Sequence, residues 1–364
     1  MIKKIRLLLI GPFPPPIHGN SLANQILYDG LSKMELYDVG IVDTASVSDK
    51  IASDQGQNFS FRKALKFIKK YLKVSRIWKT EIVYITTGHT FYGVIKYAPF
   101  IIFSRFLKKR IIFHLHGNNL GREYSQLPIA KKKILKYLHS GADKYIVLSE
   151  SLKTNYRYFT NDKNIFIANN CFQNSIIVKG IRKNTNYLSL LYMSNIMEEK
   201  GIFDFLDALE ILESLNIKYT CTIAGSCDEK ISDNFFRKVK NLGSSVQYVG
   251  VVSGEAKKRL FQESNVFVLP TYYQMEGQPI SILEAMATKN IIVTTRHSGI
   301  PEIVNEKNGF FVQERSPESI AECLKYISEN MSSLSHEMGG FNEYYAEKNF
   351  SESAFLQRMS EILS

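Results

Sequence analysis

Glu276-Gly277-Gln278-Pro279-Ile280-Ser281-Ile282-Leu283-Glu284-Ala285-Met286-Ala287 follows an apolar run from Asn265 to Pro270. The run reads as a buried strand and Pro279 suits the first turn of a helix, so the chain passes here from strand through loop to helix. On that helix Ile280, Leu283, Glu284 and Ala287 share one face, and Ile282, Ala285 and Met286 make the other side apolar too. Glu284 is therefore a carboxylate on a largely buried helix, which is costly unless it is hydrogen-bonded or paired. A ligand with hydroxyl donors would satisfy it, as would a salt bridge to a neighbouring helix. Glu276 and Gly277 lie at the helix mouth, where free N–H groups and the helix dipole favour an anion such as a phosphate. A carboxylate there suits the hydroxyls of whatever the phosphate carries.

A chain of 364 residues exceeds one ordinary core and fits two domains. Its 22% charged and 45% hydrophobic residues are those of a folded soluble protein rather than a disordered or fibrous one. No apolar run reaches the ~18 residues of a membrane-spanning helix, and the opening stretch to Ile10 reads as a first strand ending at Gly11-Pro12, not a signal peptide. Cys171, Cys221, Cys227 and Cys323 are scattered without metal spacing, which suits a reducing cytoplasm. No Asp-x-Asp pair is present to hold a divalent ion, so no metal is expected.

Charge is divided unequally. Residues 1–185 carry a net +19 and residues 186–364 a net −8. Residues 61–79 place Arg62, Lys66, Lys69, Lys73 and Arg76 on one helical face, Leu65, Ile68 and Leu72 on another, and Trp78 near the end. That is the composition of a helix lying in a membrane interface. Two more basic clusters, Arg105 with Lys108-Lys109-Arg110 and Lys131-Lys132-Lys133 with Lys136, fall in the same half and favour an anionic lipid surface. Nucleic acid is the competing partner, but no binding motif accompanies the charge.

Strand-like runs at 1–11, 81–87, 110–117, 143–149, 165–170, 188–193, 220–225, 246–250 and 291–295 alternate with helical stretches. This implies parallel, doubly wound sheets whose ligands bind beyond the carboxyl ends of the strands. His89, His116 and Gly117 stand at such ends. The polar gap from Lys179 to Asn186 sets the expected boundary, giving domains 1–185 and 186–344, with a helix from about 345 to 364 crossing back onto the first.

The pattern E-G-x-P-x-x-x-x-E-A-M-A, with seven residues between its two glutamates, resembles the signature of the family-4 retaining glycosyltransferases of the GT-B fold, of the bacterial surface-polysaccharide type. The resemblance implies two Rossmann-like α/β domains facing a cleft, the second holding a nucleotide-diphosphate sugar as donor substrate, with no further cofactor. Carried onto this chain, Glu284 would bind ribose hydroxyls and Glu276 those of the transferred sugar, with Gly277, Gln278, Pro279 and Ile280 beside them. The segment Met193–Gly201 resembles a loop that grips the pyrophosphate with an Arg and a Lys. Lys200-Gly201 matches, but Asn195 occupies the Arg position. Val251 follows a strand end similar to the segment that cradles the base, and Ser298-Gly299-Ile300-Pro301-Glu302 completes the likeness. In the first half, Gly19 falls in the loop that covers donor phosphates and acceptor. His116, immediately before Gly117, resembles the histidine that contacts the transferred sugar near its reacting carbon. His114 points to the same face of the strand, so the choice between the two stays open.

The catalytic candidates are thus His116, Glu276 and Lys200. The expected reaction is retaining, metal-independent hexosyl transfer to a lipid-linked saccharide, carried out in the cytoplasm on the inner face of the cell membrane. A glycosidase is a poorer fit, because it needs two carboxyl groups flanking one bond. A catalytically weak, membrane-associated nucleotide-sugar-binding subunit is the other alternative, and Asn195 in place of an Arg is its best support.

Overall fold

The computed structural model describes residues 4–15, 19–45 and 71–364. The chain packs as two units, one ending at Asn170 and regaining Phe355–Ser364, the other Cys171–Ala354. The changeover precedes the polar gap because Phe172 and Ile176 are already buried in the core of the second unit.

The first unit is built on a parallel sheet of β1 (Ile5–Gly11), β2 (Tyr37–Asp43), β3 (Ile82–Thr87), β4 (Arg110–Leu115), β5 (Lys144–Val147) and β6 (Ile165–Ile167), in the order β2-β1-β3-β4-β5-β6. Its central strands are continuous apolar runs, as burial on both faces demands: β3 is buried throughout, and so is β4 after Arg110. Helices Gly19–Lys33, Ala98–Phe106 and Ile129–His139 lie on the connections.

The second unit has β7 (Leu188–Met193), β8 (Tyr219–Ala224), β9 (Val246–Tyr248), β10 (Val266–Leu269), β11 (Ile291–Thr295) and β12 (Gly309–Val312), all parallel, in the order β12-β11-β10-β7-β8-β9. Read from β9, this is the 3-2-1-4-5-6 order of a dinucleotide-binding sheet. Each unit is therefore Rossmann-like.

Most of the expected basic helix at 61–79 lies outside the described residues. Its last part, Leu72–Lys79, is a 3₁₀ helix rather than an α-helical continuation. Ile77 is drawn into the core and the Arg76 guanidinium donates to Ile41 O at 2.9 Å, which ties this segment to β2. The final helix, Glu352–Leu363, returns to the first unit from Phe355 on. Phe355 and Met359 are buried, Leu356 packs against Gly30, and Lys144 Nζ donates to Ile362 O at 2.6 Å.

Two histidines are sealed in this first core. His139 is enclosed by the rings of Phe113, Tyr156 and Phe159, and its pKa is pushed down to about 3 by burial and then by Arg105. Burial, with His116 adding to it, holds His114 well below the usual range. Both stay neutral in the native state while the unfolded chain binds protons below about pH 6.5, so their contribution is complete above that pH and declines as pH falls. Each should cost about 1.4 kcal/mol by pH 5.5. Urea melts at pH 7.5 and 5.5 measure this, and His139→Phe should remove about half of the loss; an unchanged loss would show that His139 is not the buried neutral group described.

Candidate functional site

In the second sheet the chain leaves β7 toward β8 and β9, then returns on its other side at β10. The switch point therefore lies between β7 and β10, beyond their carboxyl ends, where open α/β sheets bind ligands. Two loops meet there, Ser194–Gly201 after β7 and Pro270–Pro279 after β10. Tyr272 N donates to Glu199 O at 2.9 Å, and Tyr192 OH donates to Lys200 O at 3.2 Å. Gly201 takes φ +73°, and a methyl there would overlap the Pro270 carbonyl oxygen, so only glycine permits this crossing.

The crossing brings Lys200 onto Glu276. The ammonium pairs with Glu276 Oε2 and lies 4.7 Å from the centre of the Tyr273 ring. Glu276 is only 8% exposed, and its peptide is braced from both sides: its N–H donates to Tyr273 O at 2.9 Å and its carbonyl accepts from Ser298 Oγ. His297 Nε2 lies 2.9 Å from Tyr273 O, and its Nδ1 2.9 Å from Glu314 Oε1. Gly277, Gln278 and Pro279 are buried behind the pair, and Pro279 sits at the cap position with φ −65°, one residue ahead of the helix Ile280–Ala287.

Glu284, 1% exposed, takes the second of the two partners open to it: Lys257, on the helix Gly254–Glu263, pairs with its Oε1. Burial raises the Glu284 carboxyl above the usual range while Lys257 opposes the shift. Lys257→Ala should therefore leave a buried carboxyl unmatched, lower stability by roughly 1–3 kcal/mol at neutral pH, and lower it less near pH 5, where the carboxyl can take a proton. Equal losses at both pH values in thermal melts would contradict the pairing.

Asn195 is exposed on the β7 loop, and Val251, 76% exposed, follows β9 without being enclosed. In the first unit Gly19 is exposed at the start of its helix, in the connection that follows β1. His116 lies just past β4, half-buried, with Nδ1 3.3 Å from Asn170 Oδ1. The His114 ring lies 4.0 Å from it, tilted by 33°, but is fully buried and bonded through Nδ1 to Tyr84 OH, so of the two histidines only His116 is partly exposed. Lys257, Tyr273, His297 and Asn170 were not singled out by the sequence; each reaches its place through a contact distant in the chain. Among the described residues no group of three or more His, Cys, Asp or Glu side chains could hold a metal ion, and no helix is long and apolar enough to cross a membrane.

Residues 174–342 match the family model described as Glycosyl transferases group 1. An amylovoran biosynthesis glycosyltransferase of Erwinia amylovora is 29% identical over 39% of this chain and 36% of its own length. An N,N'-diacetylbacillosaminyl-diphospho-undecaprenol alpha-1,3-N-acetylgalactosaminyltransferase of Campylobacter jejuni is 26% identical over 39% of this chain and 35% of its own. The matched stretch thus spans about a third of these curated relatives. Over 99% of both chains, the fold matches the crystal structure of Anabaena Alr3699/HepE in complex with UDP, with a TM-score of 0.74 and 16% identity. The α/β architecture of two parallel six-stranded sheets is that of GT-B glycosyltransferases.

Proposed function

We propose, from the premise that residues 174–342 form a domain of the Glycosyl transferases group 1 family, that this chain is a retaining, metal-independent hexosyltransferase. It moves a sugar from a nucleotide-diphosphate sugar to a lipid-linked saccharide during assembly of a bacterial surface polysaccharide, working on the inner face of the cell membrane. The observation that carries the reading is the buried Lys200–Glu276 pair at the switch point, directly ahead of a helix N-terminus. In this reading Lys200 and the N–H groups of that helix take the diphosphate. Glu276 turns to the hydroxyls of the transferred sugar and Glu284 to those of the ribose, and His116 is the first unit's candidate for contact with the transferred sugar. As the bond from the anomeric carbon to phosphate breaks, charge grows on the leaving oxygen, where a fixed cation is worth most in the absence of water. The acceptor hydroxyl attacks from the same face and gives its proton to the departing phosphate, so no separate protein base is needed.

The name of the Campylobacter jejuni relative supports a saccharide acceptor on a diphospho-lipid, that of the Erwinia amylovora relative supports polysaccharide biosynthesis, and the UDP complex of the structural neighbour supports a nucleotide donor. The membrane surface is supported by the first unit's own exterior. Trp78, Ile102, Phe106, Ile129 and Tyr137 are exposed on three elements that pack side by side, among Lys73, Lys109, Lys131 and Lys136. Exposed aromatics set among lysines suit an anionic interface. The protein should therefore sediment with vesicles containing anionic lipid at low salt and be released as salt rises. Failure to sediment would sink the membrane assignment. The donor assignment is tested by a thermal-shift screen of nucleoside diphosphates and their sugars, which must stabilise a folded state that binds them. No shift with any nucleotide, on a folded protein, would overturn it.

A further inference from the structure

A cavity of about 620 Å³ opens in the second unit against the first residues of β7 and the middle of β8, on residues that the loops after β7 and β10 do not share. Its volume falls within the roughly 300–1,000 Å³ of ordinary ligand sites. The floor is that part of β7 and β8, where Ser189 and Thr220 are register partners and Thr222 points the same way two residues on. Between these threonines the strand buries Cys221, so the face of β8 toward the cavity is hydroxylated where the opposite face is core. One wall is the carboxyl end of the helix Gly254–Glu263 with Gln262; the other is the strap of residues 178–187, with exposed Arg182 and Tyr187.

The walls are fixed by built contacts. Lys183 Nζ donates to Phe261 O at 2.7 Å and to Gln262 O at 3.2 Å, tying the strap to the end of that helix. Asn265, itself buried, donates through Nδ2 to Asn184 O and Tyr187 O, both at 2.8 Å, and accepts from Ser189 N at 2.9 Å. The strap is thus held to the same strand and helix that line the cavity. Hydroxyls, the amides of Asn184 and Gln262, the Arg182 guanidinium, the Glu263 carboxylate and the Tyr187 phenol line it together with apolar Val178, Ile181 and Leu260. That is a donor set for a ligand with hydroxyl rims and C–H faces, which is the chemistry of a pyranose. Thr220 and Thr222 lie four and two residues before Ala224, the end of β8, so at about 3.3 Å per residue the cavity floor stops roughly 7–13 Å short of the carboxyl end of that strand.

We propose that this cavity is a second, non-catalytic saccharide site that holds a short stretch of glycan while the donor loops work elsewhere on the same unit. The inference rests on the glycosyltransferase reading only for which glycan is bound. A tethered glycan raises its effective concentration at the enzyme without altering the chemical step. Loss of the site should therefore raise KM for long acceptors and leave kcat unchanged.

The experiment is saturation-transfer NMR with neutral di- to tetrasaccharides of glucose, galactose and N-acetylglucosamine, alongside titration of nucleoside diphosphates. Thr220→Val/Thr222→Val removes two hydroxyls while keeping shape and strand preference, Arg182→Ala tests the strap, and thermal melts confirm folding. At least one saccharide is expected to bind the wild type, to bind at least tenfold more weakly to the double variant, and to be unaffected by Glu276→Gln. No binding by any member, binding that survives the double variant, or binding abolished by Glu276→Gln would overturn the proposal. Saccharide binding without any nucleotide binding would instead remove the transferase reading and leave this site standing.

Discussion

Replacing Lys200 by methionine is expected to lower sugar transfer by roughly 10²–10³-fold, mostly in kcat. The ammonium is mostly buried between Glu276 and the ring of Tyr273, where little water screens it. A fixed charge in such a place stabilises the departing diphosphate more in the transition state than in the bound donor, which is what lowers a barrier. Methionine keeps the aliphatic stem over Tyr273 but strands the Glu276 carboxylate, so the single variant also loses stability. The double variant Lys200→Met/Glu276→Gln removes both charges and separates the two effects. It should melt near the wild type and still be inactive, as measured by release of nucleoside diphosphate in the presence of acceptor. Recovery of transfer in the double variant would mean that Lys200 serves only to neutralise Glu276.

Gly225→Ala should be the most damaging single methyl in the second unit, at roughly 3–5 kcal/mol of stability. Gly225 follows β8 with φ +145°, a region closed to other residues, and a methyl there would overlap the carbonyl oxygen of Ser194. The β7 loop rests on this spot, so the substitution must move the loop that carries Lys200. Gly243 is the control. It also has a positive φ, +63°, but nothing lies within 4 Å of the place a methyl would take, so alanine there should cost only about 1 kcal/mol. Equal losses at the two positions in urea melts would refute the close approach at Gly225.

Buried parallel strands announce themselves, and the central strands of both sheets were legible as continuous apolar runs. The edges β2 and β12 were not. Tyr37–Asp43 carries Asp38, Gly40 and Asp43 because it has one neighbouring strand and a half-exposed surface, and Gly309–Val312 has only four residues. The course of strand, loop and helix over 265–287 was legible from an apolar run followed by Pro279, whereas Lys200-Gly201 was picked out by its likeness to a family loop. The partner of Glu284 was not. Lys257 sits on the helix Gly254–Glu263 beside Lys258 and Arg259, and no periodicity distinguishes the one lysine that reaches a buried carboxylate 27 positions away. Val251 illustrates the converse: a strand end placed it correctly in the topology, yet its exposure depends on loop geometry that local sequence does not encode.

The helix Glu352–Leu363 imposes an order on synthesis. The first unit needs Phe355, Leu356 and Met359 against its own core, with Lys144 holding the carbonyl of Ile362, yet the whole of Cys171–Ala354 is translated in between. On the ribosome this unit must therefore wait, incompletely covered, while the second unit emerges and can close around residues that are all consecutive. Early release of the nascent chain before residue 355 would yield a finished second unit and an unfinished first one, with the surface of Gly30 and Tyr37 left for chaperones to find.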